Sequence, residues 1–324
     1  MAKDYHEGAQ AQRERSFSEK ESRCRRVFEW TVQKYGGLWH LCTPGEHQSV
    51  IFKDKEYAVA MTLVAMCAHD CPEVQIITFE LMSNHVHFVL CGGREHVLGF
   101  FALFKKRLVR YFSSAGKRVN LSYFDCNEPI AIESLESLRN QIGYTNRNNF
   151  VIDPDQTPFT YPFGANSYYF NSVFKARKDL VFSDLTARAK REFLHTKQVV
   201  YPDNYIIVDG YFSPASYCRL DIGEGVFRDA RHYFNKLAKN IESYKEIASA
   251  LGDAIYYTDD ELIAALYSLS RNKYGGQRIS SLAKDDKMDV ARLLHFDYNA
   301  DNRKIARLIN LDPVILDAMF PHRK

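Results

Sequence analysis

Val74-Gln-Ile-Ile-Thr-Phe-Glu-Leu-Met-Ser-Asn-His-Val-His-Phe-Val-Leu90 is the stretch on which the fold turns. Val74 to Met82 is rich in β-branched and aromatic residues and reads as a strand; Ser83-Asn84 reads as a turn, and His85 to Leu90 as the next strand, stopped by Gly92-Gly93. Alternate residues of a strand point to the same side. His85 and His87 therefore project from one face, and Val86 and Phe88 from the other. Two imidazoles at that spacing can hold one divalent cation but cannot complete its shell, so a third ligand must come from elsewhere in the chain.

Working outward, Gly36-Gly37 leads into Leu38-Trp39-His40-Leu41-Cys42, a short apolar strand. Thr43 to Gln48 is a loop in which His47 reads as incidental. Lys53 to Ala68 has helical spacing and ends before Pro72, and Val97 to Ser114 is a long helix. Val119 to Pro129 is weakly patterned, with room for one more strand. Glu133 to Asn149 is a helix with Leu135, Leu138 and Ile142 on one face. The order β-α-β-β-α-(β)-α predicts an α+β fold, the ferredoxin-like split βαβ antiparallel sheet with helices on one face. Three segments are expected: a charged arm or short helix over 1–30, the sheet-bearing domain over 31–175, and a mostly helical extension over 176–324. In the extension, Thr258-Asp-Asp-Glu261 is a capping box. The last helices are expected at Met288–His295, Asn302–Ile309 and Pro313–Phe320, with Asp312-Pro313 as a cap and first-turn pair. The short Asn310-Leu311-Asp312 connection suits a helix-turn-helix.

The composition excludes several classes. With 46% hydrophobic and 26% charged residues in 324, the chain is globular rather than disordered. Its longest apolar run, Tyr57 to Ala68, is too short to span a bilayer, and the first residues form no secretory signal. Seven cysteines without a CxxC pair agree with reduced, intracellular thiols; Cys67, His69 and Cys71 lie close together without a second ligand cluster. A net charge of +3 does not by itself announce a nucleic-acid partner. It hides a segment from Gly99 to Arg118 that carries Lys105, Lys106, Arg107, Arg110, Lys117 and Arg118 with no acidic residue. Phosphate binding depends on such local cations. Arg147 could also meet a phosphate.

On the helix Glu133–Asn149, Tyr144 and Asn148 are four residues apart and share a face. Tyr144 could present a phenol, and Asn148 an amide oxygen to a metal held by His85 and His87. One oxygen and two imidazoles, with open positions for phosphate and water, suit Mg²⁺ or Mn²⁺ better than structural zinc.

Thr78 to Leu90 resembles the "Y-x-L-M-P-N-H-x-H-x-L" signature of HUH single-strand endonucleases, with Ser83 in place of the usual proline. More closely, it is similar to tyrosine-1 transposases of the insertion-sequence and REP-associated type. Tyr35-Gly-Gly-Leu-Trp-His40 and Val50-Ile-Phe52 resemble that family's first strand and the start of its first helix. Tyr144-Thr-Asn-Arg-Asn148 resembles its "Y-I-H-x-N-P", and Tyr161-Pro-Phe with Ser167-Tyr168 its "Y-P-x-S-S-Y". The likeness spans about Val32 to Phe170, with the motifs in the family's order. It implies that 31–175 is an endonuclease domain in which His85, His87 and Asn148 hold Mg²⁺ or Mn²⁺. Tyr144 would attack a DNA phosphate, keeping the 5′-phosphate and releasing a 3′-hydroxyl. It further implies single-stranded or hairpin DNA as substrate and a bacterial cytoplasmic setting without a membrane; the clustered cations Lys105, Lys106, Arg107 and Arg110, with Arg147, are the expected phosphate contacts. A homodimer stays open, with Tyr144 in cis or swapped. Asn149 replaces the motif's proline, and Thr43-Pro-Gly-Glu-His-Gln48 replaces the usual Asn-Arg-Gly loop. Two alternatives remain: a domesticated DNA-binding protein or regulator that no longer transposes, and a phosphoryl-transfer enzyme acting on RNA.

Overall fold

The computed structural model describes residues 2–45, 48–53, 55–126, 128–147, 161–197, 200–242, 259–296, 298 and 300–321. The protein is a mixed α+β chain with two small antiparallel sheets. Its N-terminal segment is one long helix, α1 (Ala2–Tyr35), where an arm or a short helix was expected. Cys24 and Thr31 on this helix are fully buried, so its second half is held by packing that the charge-rich sequence does not advertise.

The first sheet contains β1 (Leu38–Cys42), β2 (Gln75–Leu81), β3 (Val86–Cys91) and the two-residue β4 (Ile130–Ala131), in the spatial order β2-β3-β1-β4 with every pairing antiparallel. Helix α2 (Lys55–Asp70) follows β1, α3 (Arg94–Ser114) follows β3, and α4 (Leu135–Thr145) follows β4. The register places Cys42 opposite His87, Leu41 opposite Phe88, and Glu80 opposite His87 from the other side. Phe88 stacks on Phe79 and meets the rings of Phe100 and Phe104 at 5.5 and 5.9 Å, so α3 covers the Phe88 face with α2 beside it. Each phenylalanine buried there contributes roughly 1.5–3 kcal/mol relative to exposure.

Helices on one face only were expected; the opposite face is covered as well. Tyr144 of α4 sits edge-on to His40 and His87. That face also carries Val89 and Cys91, both fully buried, and an open face would leave this apolar surface in water. The expected helix face of Leu138 and Ile142 is buried too, together with Tyr144, because α4 is sandwiched between the sheet and the later helix Ala230–Glu242.

Strand β2 is an edge, and its free side is protected. Leu81 N–H donates to Phe163 O, Ala165 N–H donates to Phe79 O, and the Tyr161 hydroxyl donates to Leu81 O. Gly164 lies so close to β2 that a Cβ there would stand 2.7 Å from Phe79 O. At the other end Arg219 N–H donates to Ile76 O. The Tyr161-Pro162-Phe163 motif thus serves to close a sheet edge.

The segment after residue 175 carries a small sheet among its helices. Between α5 (Ser172–Ala176) and α7 (Leu220–Gly225), with α6 (Ala187–Leu194) among them, lie β5 (Leu180–Val181), β6 (Ile206–Val208) and β7 (Tyr211–Phe212), a second antiparallel sheet in that order. Strands of two or three residues are too short to show a period of two. The Asp209-Gly210 turn joining β6 and β7, with φ of 51° and 81°, is the one readable signal. An apolar core runs from Leu38 to Leu237 and takes in this sheet, α7 and α8 (Ala230–Glu242). Arg139 of α4 locks the layers: its two terminal nitrogens donate to Glu21 of α1 at 2.8 and 3.1 Å, and its Nε donates to Val226 O.

A second core, from Leu262 to Phe320, gathers α9 (Asp259–Lys273), α10 (Lys284–Phe296), α11 (Asn302–Ile309) and α12 (Pro313–Met319). The Asp312 carboxylate accepts from Val314 N–H and Pro313 opens α12, as its sequence suggests. Thr258 of the expected capping box lies outside the described residues. No described helix is long and apolar enough to cross a membrane.

Candidate functional site

The site forms where β1, β3 and α4 meet. His40 and Cys42 are two residues apart on β1 and so share a face, and the register brings His87 of β3 directly across from Cys42. His40 Nε2 and His87 Nδ1 stand 3.3 Å apart, with the two rings stacked at a 9° interplanar angle. His85 immediately precedes β3, and its ring centre lies 5.1 Å from that of His87, so the two imidazoles do share one side.

The β2–β3 turn holds His85 in place. The Asn84 amide nitrogen donates to Gly45 O at 2.9 Å and to Gln48 O at 3.0 Å, which fixes the orientation of its side chain. Asn84 Oδ1 can then only accept, so His85 Nδ1–H donates to it at 2.7 Å. This leaves His85 Nε2 with the free lone pair, the atom available to a metal.

Tyr144 meets His87 and His40 edge-on, with ring centres 5.5 and 5.8 Å away. The Arg147 guanidinium lies 6.0 Å from the centre of the tyrosine ring. His40, His87, Tyr144 and Arg147 are each at most 1% exposed. A polar chain anchors the end of α4: the Thr78 hydroxyl donates to Asn146 Oδ1, Asn146 Nδ2 donates to the Tyr233 hydroxyl at 2.8 Å, and that hydroxyl donates to Asn166. Asn148, expected as the third ligand, lies outside the described residues, as do Asn149 and His47.

Burial sets the charge state. It lowers His40 and His85 from 6.5 to about 4. His87 is pushed well below its ordinary value, first by burial and then by the neighbouring His85 and His40. All three imidazoles are neutral at pH 7, the form that binds metals. One nitrogen each of His40 and His87 and the Cys42 sulfur lie within 4.8 Å of one another, so this group can hold a metal ion.

Motif reading did not assign His40 and Cys42 to the site. The signal was present in the alternation of Leu38-Trp39-His40-Leu41-Cys42 and became meaningful only with β1 paired to β3. The basic helix, in contrast, lies apart from the histidines. Lys105, Lys106, Arg107 and Arg110 belong to α3, which covers the other face of the sheet. Arg107 is paired with Asp70 and donates to Cys67 Sγ, while Lys105 pairs with Asp125 at 3.1 Å. Lys106 and Arg110 are exposed. His69 pairs with Asp70 at the end of α2, whereas Cys67 is buried in the apolar core.

Compared with known proteins, the chain matches no family model, no curated protein and no solved structure.

Proposed function

We propose that the chain is a metal-dependent tyrosine endonuclease and strand transferase acting on single-stranded or hairpin DNA, related to the HUH tyrosine transposases and built on a ferredoxin-like sheet. The observation that carries this reading is the convergence of His85, His87 and Tyr144, which come from separate motifs about sixty residues apart in the chain, on one face of one sheet. The strand order β2-β3-β1-β4, with a helix after β1 and another after β3, supports the ferredoxin-like assignment.

Tyr144 is the nucleophile. Its phenol loses a proton as the oxygen attacks phosphorus; the bond to the 3′-oxygen breaks, that oxygen leaves as a hydroxyl, and the 5′-phosphate stays on Tyr144. The link conserves the phosphodiester energy, so a second 3′-hydroxyl can displace the tyrosine and rejoin strands. Arg147, whose guanidinium lies 6.0 Å from the centre of the tyrosine ring, would offset charge on a phosphate attacked by Tyr144. His85 and His87 would hold a divalent cation, Mg²⁺ or Mn²⁺, through neutral nitrogens, and Asn148 is the third ligand the motif suggests. When bound, the cation polarises the scissile phosphate and offsets its charge.

Tyr144 is closed to solvent, so cleavage requires the α4 end of the site to open. That closure favours a second reading, a DNA-binding protein or regulator that keeps the fold without cutting. Labelled single-stranded oligonucleotides with and without hairpins separate the two. The endonuclease reading expects divalent-dependent cleavage, lost in Tyr144→Phe and reduced roughly a hundredfold or more in His85→Ala and His87→Ala. Cleavage by Tyr144→Phe at the wild-type rate would remove Tyr144 as nucleophile. DNA binding without an adduct under any divalent ion would favour the regulator.

A further inference from the structure

We infer that His40, Cys42 and His87 form a three-ligand site for a thiophilic divalent cation, zinc by the chemistry of its donors. This set is distinct from the His85–His87 pair of the proposed cleavage reaction and competes with it for His87.

Backbone pairing alone brings the donors together. Cys42 and His87 are register partners and His40 is on the same face of β1, so no loop movement is needed to converge them. The 3.3 Å between His40 Nε2 and His87 Nδ1 is also the separation expected of two nitrogens sharing one tetrahedral zinc, about 3.3 Å for bonds of about 2.0–2.1 Å. His40 is 1% exposed, and its Nε2, the atom facing His87 Nδ1, is the nitrogen the pairing aims into the site. A core shaped for packing alone would place an apolar residue at that position.

The donor set selects the ion. Two imidazoles and a thiolate suit Zn²⁺, Co²⁺ or Cd²⁺, whereas Mg²⁺ and Mn²⁺ prefer oxygen. Cys42 is not in a disulfide and is half-buried at the end of β1. Binding displaces the thiol proton to solvent and leaves the sulfur as thiolate. Three protein ligands leave one coordination position for water or a phosphate oxygen, the pattern of reactive rather than closed zinc sites. Because His87 cannot serve both sets at full strength, zinc at this site should oppose Mg²⁺ or Mn²⁺ at the other.

The test is a Co²⁺ titration of the full chain after chelator treatment. The expected result is one tightly bound ion per chain with a near-ultraviolet thiolate-to-cobalt band. Cys42→Ser and Cys42→Ala should abolish the band, His40→Ala should weaken binding about tenfold or more, and His85→Ala should leave the band intact. No band in the wild type, a band that survives Cys42→Ser, or one lost equally in His85→Ala would each overturn the inference. Should the Cys42 variants fold poorly by circular dichroism, wild-type protein decides: bound Zn²⁺ should slow alkylation of Cys42, mapped by mass spectrometry, and unchanged alkylation would refute the site. These readouts need no DNA, so failure of the cleavage reading leaves them standing, and their failure leaves cleavage untouched.

Discussion

Acid should destabilise this fold through the imidazoles under α4, and His40 allows the size of the effect to be worked out. Its pKa falls from 6.5 in an exposed state to about 4 in the fold because burial disfavours the charged ring. Between these values the unfolded chain binds a proton that the folded chain refuses, so stability is complete above 6.5 and falls as pH drops toward 4. At pH 5 the loss is about 2 kcal/mol for this one ring relative to pH 8, from 1.36 kcal/mol per pKa unit. The perturbation is His40→Gln, which removes the titration and keeps a polar side chain. The assay is urea unfolding of both chains at pH 8 and pH 5 with chelator present, so that groups common to both cancel. The pH 8 to pH 5 loss should be smaller in the variant by about 2 kcal/mol. His87 moves the difference the same way, since it loses one of the neighbours that keep it neutral. Equal pH dependence in the two chains would refute the reasoning. So would a His40 proton resonance, assigned by its absence from the variant, that titrates near 6.5 rather than 4.

Glu21→Ala removes the carboxylate that receives both terminal nitrogens of the buried Arg139, and should cost about 2–3 kcal/mol in chemical unfolding. Glu21 is itself held below its ordinary pKa, first by its hydrogen bond to Arg139, so the clamp should also weaken in acid. Gly164→Ala should cost about 1–3 kcal/mol, because its Cβ would press on Phe79 O and lift the edge cover from β2; a Tm unchanged within a degree would show that the segment yields. Asn84→Ala removes the side-chain donor to Gln48 O and one of the two donors to Gly45 O, which also accepts from Gln48 N–H, and frees His85; it should cost about 1–3 kcal/mol in the same unfolding assay.

The sheet was legible where the chain carries strong local signals. Leu38–Cys42 reads as a strand from its apolar run and the glycines before it, and the His85 turn and strand from their β-rich flanks. The helix Pro313–Met319 follows from its N-cap residue, Asp312, and the proline after it. Features that depend on long-range pairing were hidden. The position of α4 on the second face, opposite α3, comes from burial of Tyr144 against two strands, which helical periodicity cannot express. Beta-strands of two or three residues carry too few side chains for a pattern, so the β5–β7 sheet escaped. In the site, His85, His87 and Tyr144 were visible as motif residues. His40 and Cys42 acquired meaning only through the β1–β3 register. The basic run on α3 was visible as charge, but which face of the sheet it covers depends on where Phe100 and Phe104 pack.

The central claim is that Tyr144 becomes covalently joined to DNA, and the most direct measurement is peptide mapping of the trapped product. Full-length protein is incubated with single-stranded hairpin DNA and Mg²⁺ or Mn²⁺, denatured, digested and analysed by mass spectrometry. The expected result is a nucleotide 5′-phosphate on the peptide containing Tyr144, absent with chelator and absent in Tyr144→Phe. An adduct on another tyrosine, or cleavage of the DNA with Tyr144 left unmodified throughout, would contradict the claim.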